Sequence, residues 1–465
     1  MTIWTPTLTH RIGPRYRAIA DAIAEAVADG TLPADCRLPT HRDLAYRLGV
    51  TVGTVSRAYA EAEKRGLVSG EVGRGTFVKP PKSPTLATAA VHFGGVGTVS
   101  PQAVNLSLNC PYHIGDTEIR TTLKQMADSG DLNEILAFNP GQGARVHREA
   151  GARLIGLLGW TPEPDRIAVT HGAQHGLTVA FMALCRAGDA ILTEEVTYPG
   201  IPSLAELLGL RLLPVALDDQ GMIPESLEES ARGSGARVVC LQPTLHNPTT
   251  ATMGQERRAA IAEVAERLDL TLVEDDLYGY HRPVPSPPLS QLIPHRSVFL
   301  TSVSKCLAAG IRTGYMVMPE SLSERIITAI SATCWMAAPL ETELARCWIE
   351  DGRLEKLIQA RREEFERRRK LLLESLPEFS LKVPPGSLHA WLPLPEGFDP
   401  VVLQGEARER DLLLPPTDVF NIGRGPTPRA LRLSLSRPQP QDFDRGLREL
   451  SRLLRRPQRQ PVTVV

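Results

Sequence analysis

The segment Pro80-Pro81-Lys82-Ser83-Pro84 limits, more than any other feature, what this chain can fold into. Proline lacks the amide hydrogen that helices and central strands need, so neither element runs through three prolines in five residues. The residues that follow, TLATAAVHFGGVGTVSPQA, are small, polar and glycine-bearing, which is linker composition. At 465 residues the chain also exceeds the roughly 250–300 residues at which a single core stops growing. We therefore expect an N-terminal domain over 11–79, a linker over 80–104 and a larger domain over 105–460.

With 42% hydrophobic and 23% charged residues and a formal net charge of -1, the chain reads as an ordinary globular protein, and any nucleic-acid surface has to be local. No apolar run has the length of a signal peptide or a membrane span, so the expected compartment is the cytoplasm, with no membrane partner. Seven scattered cysteines form no C-x-x-C pair and have no histidine at zinc-finger spacing, which predicts reduced structural thiols and no metal site. Cys306 is left open because it follows a lysine of interest.

In the first domain, Ile19, Ile23 and Val27 recur at helical spacing up to Gly30. Thr40 is placed to cap a short helix ending at Gly49, and Thr51 to cap VGTVSRAYAEAEKRGL. Two helices joined by a tight glycine turn make a helix-turn-helix, whose second helix can lie in the major groove of DNA. Thr51, Gly53, Thr54, Ser56 and Arg57 would then face the bases and backbone. Leu67–Val78 reads as two short strands with a glycine-rich tip, a wing that can bring Arg74 to phosphate or a minor groove. The whole module resembles the winged helix-turn-helix of the GntR family of bacterial regulators. That resemblance implies DNA contacts from Arg42, Thr51, Thr54 and Gly73. Where many members carry an arginine after the first residue of the recognition helix, this chain has Val52, so contacts there have to come from elsewhere, Arg57 among the candidates. A protein-interaction module of the same fold is the alternative; Arg42, Arg57 and Arg74 on the elements expected to face phosphate favour DNA.

Beyond the linker, short apolar runs at Arg166–Thr170, Ala190–Thr193, Arg211–Val215, Arg237–Leu241, Leu270–Glu274 and Ser297–Leu300 alternate with amphipathic stretches such as Gln255–Leu268. This alternation predicts an α/β domain with a mainly parallel sheet covered on both faces, with ligands at the carboxyl ends of its strands. Past Pro319 come long charged helices and a late strand, Leu431–Ser436, which predict a second, smaller α+β subdomain. The charge run within Leu354–Leu376 interleaves acids and bases and reads as a solvated helix face.

Chemistry-bearing residues gather at the strand ends. Lys305 follows a strand, with Ser302 and Ser304 before it and Arg312 after it. A sheltered lysine amine can lose its proton and form a Schiff base with an aldehyde, and serine with arginine suits a phosphate dianion. Asp275 ends the preceding strand, where a carboxylate could pair with a protonated pyridine nitrogen, and Tyr278 could bond a phenolic oxygen. His171-Gly172-Ala173-Gln174 opens a helix whose amides can hold phosphate. Asn247-Pro248 and Tyr198 end two further strands; the first could reach the phenolic oxygen, the second could stack on a ring. Singly, each has an ordinary reading as a cap, a surface lysine, a turn or packing. In this order, over Asn105 to Leu454, they resemble the fold-type I pyridoxal 5'-phosphate (PLP) enzymes of the aspartate aminotransferase superfamily. The resemblance implies Lys305 as the Schiff-base lysine, Asp275 at the pyridine nitrogen, and Asn247 and Tyr278 at the phenolic oxygen. Ala173, Gln174, Ser302 and Arg312 would hold the phosphate, and Arg432 would clamp an α-carboxylate. In two places the chain departs from the pattern. Phe138 stands where the family often has a tyrosine for the partner subunit's phosphate, and His147, read as structural, stands before Arg148.

A winged helix-turn-helix, a linker and an aminotransferase-like domain together resemble the MocR subfamily of GntR regulators. This implies a homodimeric, PLP-binding transcription regulator that binds a double-stranded DNA operator and senses PLP or an amino compound. A genuine aminotransferase acting on an α-amino acid, with an accessory DNA-binding domain, is the alternative reading.

Overall fold

The structure, a computed structural model, describes residues 4–6, 14–28, 31–32, 36–64, 67–71, 75–79, 100, 102–112, 115–129, 132–139, 141–422 and 428–456. The chain separates into two compact units, Met1–Thr88 and Ala89–Val465. The proline cluster and most of the expected linker lie outside the described residues.

In the first unit, α1 (Arg15–Ala28), α2 (His41–Leu48) and α3 (Val52–Lys64) precede β1 (Val68–Glu71) and β2 (Gly75–Val78). Thr40 caps α2 by accepting from the Asp43 amide, and Gly49 ends it at φ 61°, a left-handed conformation that glycine adopts without a Cβ clash. Ile19, Ile23, Leu44, Val55, Tyr59, Val68 and Val78 close a shared core, so each helix has one buried stripe. The Tyr59 hydroxyl donates to the Pro39 carbonyl at 2.8 Å and fastens α3 to the segment before α2. The wing has the two expected strands, and an isolated antiparallel bridge from Arg37 to Phe77 sets the chain before α2 beside β2.

The second unit begins with β3 (Val104–Asn105) and continues with β4 (Ile167–Thr170), β5 (Ala190–Glu194), β6 (Arg211–Val215) and a small hairpin of β7 (Leu217–Asp218) and β8 (Gly221–Met222). Then follow β9 (Val238–Leu241), β10 (Thr271–Asp275), β11 (Ser297–Ser302) and β12 (Gly314–Val317). Seven strands form one sheet in the order β4-β12-β11-β10-β9-β5-β6. The pairs from β11 through to β6 are parallel, whereas β12 runs antiparallel to both β11 and β4. The sheet is mainly parallel, as expected, with β12 a single antiparallel strand between β11 and β4 that the sequence reading did not include. Successive residues of β9 alternate between two cores: Val238 and Cys240 pack on one face, Val239 and Leu241 on the other. Such strands need helices on both sides.

The smaller α+β subdomain pairs β13 (His389–Pro393) with β15 (Ala430–Ser434), and β14 (Leu412–Leu413) with β3. Helices Arg353–Ser375 and Pro440–Leu454 cover it around a core that includes Leu372, Leu392, Leu433 and Leu450. Glu355, Lys356, Glu363, Arg367 and Lys370 of helix Arg353–Ser375 are exposed, as expected of a solvated face, but two of its arginines are not. Arg361 and Arg368 are fully buried, because their guanidinium groups are spent on main-chain carbonyls inside the protein. Arg361 donates to the carbonyls of Cys306 and Leu307 at 3.0 and 2.8 Å, and so anchors the turn that follows Lys305.

Candidate functional site

On the first unit, α3 buries Val55, Ala58, Tyr59 and Ala62 and turns Val52, Gly53, Ser56 and Arg57 outward. Thr51 accepts from the Thr54 amide at 3.2 Å, and the two hydroxyls lie 2.9 Å apart. Arg42 and Thr51 are exposed, and Thr54 is half-buried. The Arg57 guanidinium sits 4.5 Å from the Tyr16 ring centroid, a cation–π contact that leans it on α1. Gly73 and Arg74 lie outside the described residues. Sequence reasoning passed over Arg37, an exposed base against the foot of the wing.

On the second unit, a cavity of about 420 Å³ opens at the carboxyl ends of the strands. Ala173, Gln174, Tyr198, Asn247, Tyr278, Ser302, Lys305, Arg312 and Arg432 all line it, so residues spread over 260 positions of sequence meet in one place. Asp275 is fully buried and does not itself line the cavity, but it interacts electrostatically with Lys305 and Tyr198, which do. Gln242 donates to Asp275 Oδ2 at 2.7 Å, while Oδ1 is buried with no hydrogen-bond partner. Burial pushes the Asp275 carboxyl up to about 6, against the pull of the Gln242 bond. A buried unpartnered carboxylate oxygen is costly; a protonated ring nitrogen would satisfy it. Asn247 Oδ1 and Gln174 Oε1 are likewise buried and unpartnered.

The Lys305 amine donates to the Asn109 carbonyl. Burial lowers its pKa, and the Arg432 and Arg312 cations lower it further, which favours the neutral nucleophilic form. At the phosphate end, Arg312 donates to Ser304 Oγ at 3.1 Å, and Ser302 Oγ accepts from the Ser304 amide at 3.1 Å. Gly172 sits at φ +76°, where a Cβ would lie 2.5 Å from Arg312 Nη2, so only glycine lets that guanidinium cross the start of helix Gly172–Leu184. The free amides of Ala173 and Gln174 in that first turn complete an anion cradle. Opposite, Arg432 donates to the Ser107 carbonyl and keeps Nε and Nη1 buried and unpartnered, a fork ready for a carboxylate. The orphaned Asp275 Oδ1 suits a protonated ring nitrogen and the orphaned Arg432 Nε and Nη1 a carboxylate, and with Arg312 and the helix amides for a phosphate and Asn247 and Tyr278 for a phenolic oxygen the set fits PLP together with an amino acid.

The sequence reading missed Asn109 and Gln242. Asn109 donates to the Tyr278 hydroxyl at 3.0 Å and bonds His389 and Ser436. Gln242 also accepts from the Asn247 amide at 3.2 Å. Cys306, left open, is fully buried with its thiol pushed up to about 12 by burial, which makes it inert. His147 is buried against Glu343 at 3.0 Å, consistent with a structural part. Phe138 lies on the surface beside Trp335, ring centroids 5.9 Å apart.

Residues 101–450 match the aminotransferase class I and II family, and residues 15–78 match the bacterial regulatory proteins of the gntR family. The chain is 28% identical over 452 residues to the HTH-type transcriptional regulator YdeF of Bacillus subtilis, covering 97% of this chain and 96% of that protein. It is 28% identical over 387 residues to the HTH-type pyridoxine biosynthesis transcriptional regulator PdxR of Corynebacterium glutamicum, covering 80% and 82%. An archaeal alanine:glyoxylate aminotransferase structure superposes with a TM-score of 0.70 at 25% identity, over 80% of this chain and 96% of that one. The chain belongs to the aminotransferase class I and II family over most of its length and carries a gntR-family DNA-binding domain at its N-terminus, the architecture of MocR-type regulators.

Proposed function

We propose that this protein is a PLP-binding, ligand-responsive transcription regulator whose aminotransferase-like unit senses PLP or an amino compound. One observation carries the reading: a helix-turn-helix shares its chain with a cavity whose buried, unpartnered polar atoms complement PLP and a carboxylate. PLP, when bound, supplies an aldehyde with which amines condense and a ring that draws electrons away from the reacting carbon. The chain's own residues do the rest. Lys305 presents a buried amine, Asp275 holds a proton at the ring nitrogen, Asn247 and Tyr278 flank the phenolic oxygen, and Tyr198 lies over the ring. Arg312, Ser302, Ala173 and Gln174 take the phosphate, and Arg432 takes the effector's carboxylate.

DNA is met by Arg42, Thr51, Thr54 and Arg57 of the described residues, with Gly73 and Arg74, which lie outside them, as the further contacts that the sequence suggests. The protein acts in the cytoplasm on a double-stranded operator; among the described residues no helix is long and apolar enough to cross a membrane. It works as a homodimer, a reading supported by Phe138 and Trp335, which stand 61% and 65% exposed on one face of the unit. Control then follows from linkage: an effector shifts DNA affinity by binding one arrangement better than another, a coupling of ~1–3 kcal/mol. The name of the relative PdxR favours PLP itself as the signal, whereas Arg432 in the cavity favours an α-carboxylate ligand.

Lys305 and Arg432 in one cavity, with a buried Asp275 in electrostatic contact with Lys305, also permit transamination. Titration of the cofactor-loaded protein with a panel of amino acids, followed by visible absorption, separates the two readings. A band that shifts once and stays, with a matching change in DNA affinity, marks a sensor. A band that cycles on addition of a keto acid, with the keto acid consumed, marks a working aminotransferase and overturns the regulatory reading.

A further inference from the structure

The outward face of the recognition helix carries an exposed apolar side chain at its first position. Val52, its first residue, is 45% exposed although it is β-branched and gives the helix no propensity advantage. Gly53 beside it is open: a Cβ there would meet only Thr51 Oγ1, at 3.8 Å. The nearest polar side chains, of Thr51 and Thr54, bond each other, while Ser56 and Arg57 on the next turn are exposed. The Thr51 and Thr54 hydroxyls lie 2.9 Å apart, Thr51 Oγ1 takes the Thr54 amide, and the Arg57 guanidinium rests on the Tyr16 ring. The first turn of α3 therefore presents a bare isopropyl group, flanked by a glycine at which another molecule can approach the backbone closely.

In a helix-turn-helix, the first turn of the second helix is the part that reaches base edges in the major groove. Of the groups displayed there, only the 5-methyl of thymine is apolar; the others are donors or acceptors that an isopropyl group leaves unsatisfied. We propose that Val52 is a specificity-determining residue that reads a thymine methyl in each operator half-site, with Gly53 allowing the helix to approach that base. The inference rests on the DNA-binding reading and adds to it what the first turn selects. Charged groups outside this turn, Arg42 among them, supply affinity without sequence information.

The test uses the full-length, cofactor-loaded protein. A tight-binding duplex is first enriched from a random double-stranded pool, and its thymines are then replaced one at a time by deoxyuridine, which removes only the methyl. In the wild-type protein, one replacement per half-site weakens binding by about fourfold, the worth of one buried methyl group. Val52→Ala, whose fold is checked by its melting temperature, loses most of the discrimination between the thymine and uracil duplexes, and Val52→Thr, which keeps one γ-methyl, retains more of it. A wild-type protein indifferent to every replacement overturns the proposal, as does a Val52→Ala protein with unchanged discrimination. Failure of the DNA-binding reading shows earlier and differently, as no salt-dependent binding to any duplex, and it overturns the assignment as well.

Discussion

The side-chain amide of Gln242 donates to Asp275 Oδ2 at 2.7 Å, while its carbonyl accepts from the Asn247 amide at 3.2 Å. One glutamine thus orients two residues assigned to the cofactor ring and leaves Asp275 Oδ1 free to meet it. Gln242→Leu removes both bonds at similar volume. Loss of a hydrogen bond to a charged group, ~1.5–3 kcal/mol, weakens PLP binding by roughly tenfold or more. It also raises the pH at which the bound cofactor's visible band titrates, because Asp275 loses a donor that favours its charged form. An unchanged titration midpoint would show that Gln242 does not orient the carboxylate.

Lys305→Ala tests the covalent anchor. The cavity's phosphate and ring contacts remain, so the variant folds and binds PLP non-covalently, but the absorption band of lysine-bound cofactor disappears and borohydride fixes no label on the chain. A band that persists in the variant sinks the assignment of Lys305.

Asp275 makes the cofactor-free protein sensitive to pH with a definite sign. Its carboxyl is raised by burial from 3.8 to about 6, so the unfolded chain ionises first and stability falls as pH rises through that window, with no further loss above it. Asp275→Asn keeps an acceptor for Gln242 and abolishes the loss. Melting experiments on cofactor-free protein should therefore find the variant ahead of wild type by about 3 kcal/mol above pH 7, with the gap closing towards pH 4. A gap that does not depend on pH would mean that Asp275 titrates normally.

Much of this site was legible because its signals are local. Thr40 and Gly49 bound a helix through their own capping chemistry, and Lys305, Asp275 and Asn247 each follow an apolar run that makes a strand. What escaped was set by tertiary structure. Asn109 reaches Lys305 across 196 positions, and Gln242 sits directly after a buried strand with nothing around it to distinguish it from packing. Strand β12 is four residues long and buried on both faces, so it has no alternation to betray it. The charge pattern around Arg361 looks solvated until the carbonyls of Cys306 and Leu307 are seen to meet it.

That buried arginine gives a prediction of its own. Arg361 donates to three main-chain carbonyls, of Tyr112, Cys306 and Leu307, and removing it leaves buried acceptors unsatisfied. Arg361→Met, which fills most of the volume, should lower stability by about 3 kcal/mol and weaken PLP binding through the loosened turn after Lys305. Melting and cofactor titration measure the two effects. Normal cofactor affinity in a destabilised variant would confine Arg361 to a structural role.

Arg42 stands on the first turn of α2, exposed, next to the Thr40 cap, whose hydroxyl bonds the Asp43 carboxylate at 2.6 Å. That bond helps draw the nearest acid towards the cap and leaves Arg42 for a phosphate. A phosphate contact releases counterions, so Arg42→Ala should weaken binding to every duplex alike and reduce the slope of log affinity against log salt by about 0.9. Fluorescence anisotropy at several salt concentrations, on both an enriched duplex and an unrelated one, gives the slope and the specificity ratio together. A parallel fall on both sequences identifies Arg42 as a backbone contact; a fall on the enriched duplex alone would make it a base reader, and an unchanged slope would place it off the DNA altogether.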